Sequence, residues 1–193
     1  MILFIHGFAS RGLGNKSRAL LEHFGAGEVL TPDLPHQPWQ AIELLEQLLA
    51  EHPVDLLVGS SLGGYYATWL NRQRSLPAVL VNPAIVPHVL LDDYLGEHRS
   101  DSGETFYLTR DHLGSLRRMY RPALREDEHY LVLLQTGDEV LDYRQAATYY
   151  AAKDVIVESG GDHRFENFHD YLPRIAAWRE QHVEKASESP TRS

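Results

Sequence analysis

Six short, nearly continuous apolar runs, separated by turn residues and by stretches of helical periodicity, constrain this chain more than any other feature. The runs are Ile2 to Ile5, Glu28 to Thr31, Val54 to Val58, Ala78 to Val81, Tyr130 to Gln135 and Asp154 to Glu158. A strand with one wet face alternates apolar and polar residues, whereas a parallel strand covered on both faces reads as an unbroken apolar run. Regular alternation of such strands with helices predicts an α/β fold, a three-layer α/β/α sandwich around a mostly parallel sheet of about six strands.

The helices fall between the runs. They are predicted over Asn15 to Phe24, from Gln37-Pro38-Trp39 to His52-Pro53, and over Leu62 to Arg72, His112 to Tyr120, Tyr143 to Ala152 and Phe168 to His182. Pro38 suits a first helical position, where no amide hydrogen bond is required. Ala41, Leu44, Leu45, Leu48 and Leu49 then share one face at helical spacing. With 193 residues there is room for one sizeable core. A single domain over 1–183 is expected, with a polar, low-complexity tail over 184–193 expected to be disordered. Residues 84–129 break the pattern, being charged and without a convincing strand. They are either a cap or lid inserted between two strands or a plain surface connection.

Composition removes several classes of function. The chain has 18 Lys and Arg against 27 Asp and Glu, a formal charge of −9, which speaks against a nucleic-acid partner. It has no cysteine, so disulfides and thiolate metal sites are excluded. There is no H-E-x-x-H motif, and the scattered histidines lack metal-ligand spacing. Gly12-Leu13-Gly14-Asn15-Lys16-Ser17 fails as a phosphate loop because Asn15 separates the glycine from the lysine. Neither a basic leader nor an apolar stretch of spanning length opens the chain. The expectation is a cytoplasmic protein with no membrane span, metal or cofactor.

The chemistry points to Val58-Gly59-Ser60-Ser61-Leu62-Gly63-Gly64, which fits G-x-S-x-G with Ser61 at its centre. An apolar strand precedes it and a helix pattern follows, the context a nucleophile elbow needs. Gly59 and Gly63 remove side chains that would collide with neighbouring backbone in so sharp a turn. The competing reading is a Gly/Ser-rich turn that only caps a helix. A serine nucleophile requires a base, and in this architecture an acid and then a histidine follow it along the chain. Of 11 histidines, His163 lies in the loop after the last strand, while His169 and His182 fall in the terminal helix pattern. Asp138 comes first after a strand and glycine and is the chosen acid, with Glu139 and Asp142 as rivals. His6 precedes Ser61 and reads as a loop-fixing residue.

The backbone amides of Phe8 and Leu62 are the candidate oxyanion donors, because the first and third strands of such a sheet lie side by side. His36, Trp39, Tyr65 and Tyr120 are candidates for the substrate pocket. Tyr66 and Trp69 join them as aromatic neighbours, and core packing is the competing reading for the helix residues.

With these motifs in place, the chain resembles the small bacterial esterases of the YqiA/YcfP type within the α/β-hydrolase superfamily, over about residues 1–180. The landmarks are the strand into His6-Gly7-Phe8, Thr31-Pro32-Asp33-Leu34, the Gly59 to Gly64 elbow, Asn82-Pro83, Gln135 to Tyr143, and Gly160-Gly161-Asp162-His163-Arg164-Phe165. The resemblance implies a compact α/β-hydrolase fold with a short cap, esterase activity including action on acyl-CoA thioesters, and Ser61, Asp138 and His163 as the triad. The first two strands of larger superfamily members are missing and the cap region is short, which speaks against polymeric substrates. A non-catalytic binding protein on the same fold, and an acyltransferase or perhydrolase using the same triad, are the alternatives.

Overall fold

A computed structural model of the chain describes residues 1–188. In chain order the elements are β1 (Ile2–Ile5), α1 (Asn15–Phe24), β2 (Val29–Leu30), α2 (Pro38–Glu51), β3 (Leu56–Ser60), α3 (Leu62–Arg74) and β4 (Ala78–Val81). There follow α4 (Pro87–Leu90), β5 (Gly96–Arg99), β6 (Thr105–Leu108), α5 (Arg110–Met119), β7 (Tyr130–Gln135), α6 (Tyr143–Tyr149), β8 (Asp154–Glu158) and α7 (Leu172–Glu188). Six strands form one sheet in the order β2-β1-β3-β4-β7-β8, and every pairing in it is parallel.

The pleat explains why the strands read as continuous apolar runs. Successive side chains point to opposite faces, and both faces are covered except along the edge strand β8, where Val157 is 46 % exposed. Leu3, Ile5, Leu57, Leu80, Val132 and Leu134 pack on one side with Leu45 of α2, Leu70 of α3 and Leu116 of α5. Ile2, Phe4, Val58, Val81, Leu131 and Leu133 pack on the other with Leu20 of α1 and Ile175 and Trp178 of α7. Each fully buried Leu or Ile contributes about 1.5–3 kcal/mol. This is the three-layer α/β/α sandwich the sequence predicts.

Several boundaries differ from those the sequence predicts. β2 shortens to two residues at the edge of the sheet. β3 starts at Leu56 and runs on to Ser60; the preceding Asp55 carboxylate accepts from the Arg179 guanidinium at 2.7 and 2.8 Å and from the N-terminal ammonium at 3.1 Å. A 3-10 turn over Phe168–Tyr171 precedes α7. α7 itself runs to Glu188, into the stretch 184–193 expected to be disordered; residues 189–193 lie outside the described residues. The segment 84–129 does contain strands: β5 and β6 form an antiparallel hairpin. Only Phe106 and Leu108 are buried along β6, so the period-2 signal is two residues long.

The register brings the chemistry together. Ile5 pairs with Gly59, and Ser60 with Val81, so β1, β3 and β4 end side by side. Gln135 at the end of β7 pairs with Glu158 at the end of β8. The loops that leave these carboxyl ends converge on one crevice, where ligands bind in open α/β sheets.

Candidate active site

Ser61 stands alone between β3 and α3 with φ 54° and ψ −120°, a conformation that costs a residue with a side chain about 1–3 kcal/mol. The surrounding glycines make this turn possible. A Cβ on Gly59 would overlap the Gly63 carbonyl, and one on Gly63 would overlap the carbonyls of Ile5 and His6. Because the obstacles are backbone of α3, of the central strand β1 and of its loop, they cannot move aside. Gly63→Ala is expected to destabilise the fold by about 3 kcal/mol, a loss on the order of 10 °C in Tm, measurable by thermal denaturation.

The side chains chosen from the sequence meet here. His163 Nε2 lies 3.1 Å from Ser61 Oγ. His163 Nδ1 lies 2.8 Å from Oδ2 and 3.0 Å from Oδ1 of Asp138. A carboxylate only accepts, so Nδ1 carries the proton and Nε2 is free to accept from the serine hydroxyl. The Asp138 side chain is 1 % exposed, and its Oδ1 accepts from the Val140 and Leu141 amides at 2.9 and 2.8 Å. The rivals are engaged elsewhere. Glu139 Oε2 accepts from the His163 backbone amide at 2.9 Å, a bond that holds its carboxyl below the usual range. Asp142 caps α6 through the Arg144 amide and pairs with the Arg144 guanidinium.

Leu62 is the first residue of α3, where an amide has no intrahelical acceptor. Phe8 follows Gly7, whose added Cβ would stand 3.2 Å from Ser61 Cβ. Both loops therefore flank the serine, and among the described residues neither amide donates to a backbone carbonyl. His6 is buried and fixes its loop. The Leu34 amide donates to Nε2 at 3.0 Å, which leaves Nδ1–H to donate to the Gly7 carbonyl at 2.9 Å. Burial lowers its pKa, in keeping with this neutral tautomer.

The cleft over Ser61 has a volume of about 830 Å³, within the size of small-molecule sites. Its walls are not the predicted ones. Pro87, Val89, Leu90 and Leu91 come from α4 and the residue beyond it, Tyr94 and His98 from the segment beyond that, and Val140 and Leu141 from the loop after β7. His36 instead stacks on Phe106 at 3.6 Å between ring centroids. Trp39 packs edge-on against Trp69 at 5.6 Å, both partly buried against the core. Tyr65 is buried and donates to the Leu116 carbonyl at 2.7 Å, and Tyr120 packs against His88. A second groove of about 940 Å³, lined by Ile85, Leu124, Arg125, Arg144, Tyr149 and Lys153 among others, contains none of the candidate catalytic residues.

Sequence reasoning missed the polar network that carries the His163 loop. Asn82 is 3 % and Gln135 2 % exposed. Asn82 Nδ2 donates to the Asp162 carbonyl at 3.0 Å while its Oδ1 accepts from the Gln135 amide at 3.0 Å. Gln135 Oε1 accepts from the Asp162 amide, and its Nε2 donates to Glu158 and Asn167 at 2.8 and 2.7 Å. The signal was a side-chain amide at the end of each of two apolar strands, where burial requires a partner. Lys16 was also passed over. Its ammonium donates to the Arg164 carbonyl at 2.5 Å, and burial brings its pKa down to about 8 against the opposing pull of Asp162.

Residues 1–180 match the model of the uncharacterised protein family UPF0227. The chain belongs to that family. It is 26% identical over 189 residues to the UPF0227 protein YcfP of Salmonella paratyphi A, covering 93% of this chain and 98% of the relative. A UPF0227 protein of Citrobacter koseri is 25% identical over the same shares. Solved structures share the fold at lower identity. Mouse alpha/beta hydrolase domain-containing protein 10 superposes with a TM-score of 0.73 at 18% identity, covering 93% of this chain and 89% of that one. The esterase domain of a Rhodothermus marinus protein gives 0.70 at 21% over 94% and 87%, and a monoacylglycerol lipase of Paleococcus ferrophilus 0.68 at 17% over 94% of each. The fold is that of the α/β hydrolases. Among the described residues no cluster of histidines and carboxylates has metal-holding geometry, and no helix is long and apolar enough to cross a membrane.

Proposed function

We propose that this protein is a serine esterase acting on small carboxylic esters or acyl-CoA thioesters, with Ser61 as nucleophile, His163 as base and acid, and Asp138 as the orienting carboxylate. The observation that carries the reading is the unbroken line from Ser61 Oγ through both ring nitrogens of His163 to Asp138, at 3.1 and 2.8 Å. In this reading Ser61 Oγ attacks the carbonyl carbon and its proton passes to His163 Nε2. The carbonyl π pair moves onto oxygen, where the Phe8 and Leu62 amides receive it; such a donor contributes about 3–4 kcal/mol in other hydrolases. Collapse expels the alcohol or thiol, which takes the proton from Nε2. Water, deprotonated by the same nitrogen, then releases the acid and restores Ser61.

The reading is supported by access as well as distance. His163 is 21 % exposed at the side chain while Asp138 is sealed, so a carbonyl can reach the serine and not the carboxylate. A fluorophosphonate probe is expected to form one covalent adduct, located on Ser61 by peptide mass spectrometry. A folded protein that stays unlabelled would move the weight to a non-catalytic binding protein.

A further inference from the structure

The chain carries a net charge of −9, yet the cleft over Ser61 is lined by two cations and one carboxylate. Lys16, on the first turn of α1, and Arg164, the residue after His163, line it together with Ser61 and His163. The carboxylate is Asp93, in the 3-10 turn beyond α4. Lys16 is not a loose surface side chain, since its ammonium is tied to the Arg164 carbonyl. Arg164 is exposed. The cleft also has open apolar walls: Val89 is 60 % and Val140 55 % exposed while lining it. Large apolar side chains left in water around a cleft mark a place where apolar ligand surface is buried.

The orientation of the substrate follows from the chemistry of the proposed reaction. The general acid must stand within hydrogen-bond reach of the atom that leaves. His163 Nε2 is that acid, so the alcohol or thiol lies on the His163 side, where Arg164 and Lys16 stand. We propose that Lys16 and Arg164 form an anion subsite for the leaving group, so that the preferred substrates join an apolar acyl chain to an alcohol or thiol carrying a phosphate or carboxylate. This rests on the esterase reading above and deepens it. Guanidinium and ammonium groups bind such anions through charge-assisted hydrogen bonds, which are stronger than neutral ones.

The test uses two butyrate esters that differ by one charge on the leaving group, 4-nitrophenyl butyrate and 3-carboxy-4-nitrophenyl butyrate, at low salt. Their difference in intrinsic reactivity cancels when one enzyme is compared with another. In Arg164→Gln and in Lys16→Met the ratio of kcat/KM, anionic over neutral, is expected to fall about ten-fold or more, and in Lys16→Arg to recover. If Lys16 served only to hold the His163 loop through the Arg164 carbonyl, both esters would lose equally. An unchanged ratio in Arg164→Gln and Lys16→Met overturns the proposal. A second arm needs no turnover: glycerol 3-phosphate and glycerate are titrated into Ser61→Ala by calorimetry, alone and combined with Arg164→Gln. Binding of either anion that weakens about ten-fold with the arginine removed supports the subsite and tells phosphate from carboxylate; absence of binding by both overturns it. Should the native chain hydrolyse neither ester, the esterase reading fails, and this binding arm still decides the subsite.

Discussion

Ser61→Ala is expected to lower kcat/KM for p-nitrophenyl butyrate by about 10⁴–10⁶-fold while leaving the fold intact. The structural reason for an intact fold is that Ser61 holds its neighbours through backbone alone. Its amide donates to the Val81 carbonyl at 3.0 Å, and its carbonyl accepts from Gly64 and Ala84 at 3.0 and 3.1 Å. Among the described residues the hydroxyl has one partner, His163. Removing it deletes the nucleophile and nothing that supports the sheet. Ser61→Gly sharpens the test. Glycine accepts φ 54° without a Cβ penalty, so this variant should lose the same activity and gain about 1 kcal/mol of stability. A drop in rate together with a rise in Tm would identify strain held for function. Activity that survives both substitutions would remove Ser61 as the nucleophile and with it the proposed mechanism.

The sheet was legible because burial on both faces leaves an apolar run that needs no register to recognise. The relation of Ser61 to His163 was legible for a different reason: chain order and strand ends pruned 11 histidines to one loop. The pocket was not legible. Trp39, Tyr65 and Tyr120 were chosen by residue type, and an aromatic on a helix does not report which face it is on. Tyr65 went to the core and Trp39 packs against it, while aliphatic residues around α4 took the cleft; α4 and the hairpin lie in a segment without periodicity strong enough to place. Phe8 links the two regions, packing edge-on against His98 and Phe106 at 5.1 and 5.6 Å. The loop that carries a candidate oxyanion donor is thus packed against a hairpin the sequence did not reveal. His36 stacks on the same Phe106 and does not line the cleft. Asn82 and Gln135 were hidden by a related limit. Their partners are backbone atoms of a loop about 80 and 27 residues away in the chain, and no local pattern encodes such a pairing.

The choice among Asp138, Glu139 and Asp142 was left open by the sequence, and three isosteric substitutions should separate them. Asp138→Asn is expected to lower kcat by about 10⁴-fold. The cause is a tautomer. The Val140 and Leu141 amides both donate to Oδ1, so the carbonyl oxygen of an asparagine here must face them. Its NH₂ group then occupies the Oδ2 position, 2.8 Å from His163 Nδ1. A donor in that place requires Nδ1 to accept, which moves the imidazole proton to Nε2, opposite Ser61 Oγ. A protonated Nε2 cannot take the serine proton. Glu139→Gln keeps an oxygen that can accept from the His163 amide and should cost only a few-fold. Asp142→Asn preserves the cap of α6, since asparagine caps as well as aspartate, and should leave the rate unchanged. Stopped-assay kcat values for the three variants, set beside circular dichroism of each, make the comparison. A loss in Glu139→Gln as deep as in Asp138→Asn would mean that the position of the His163 backbone, and not the charge behind its ring, limits the reaction.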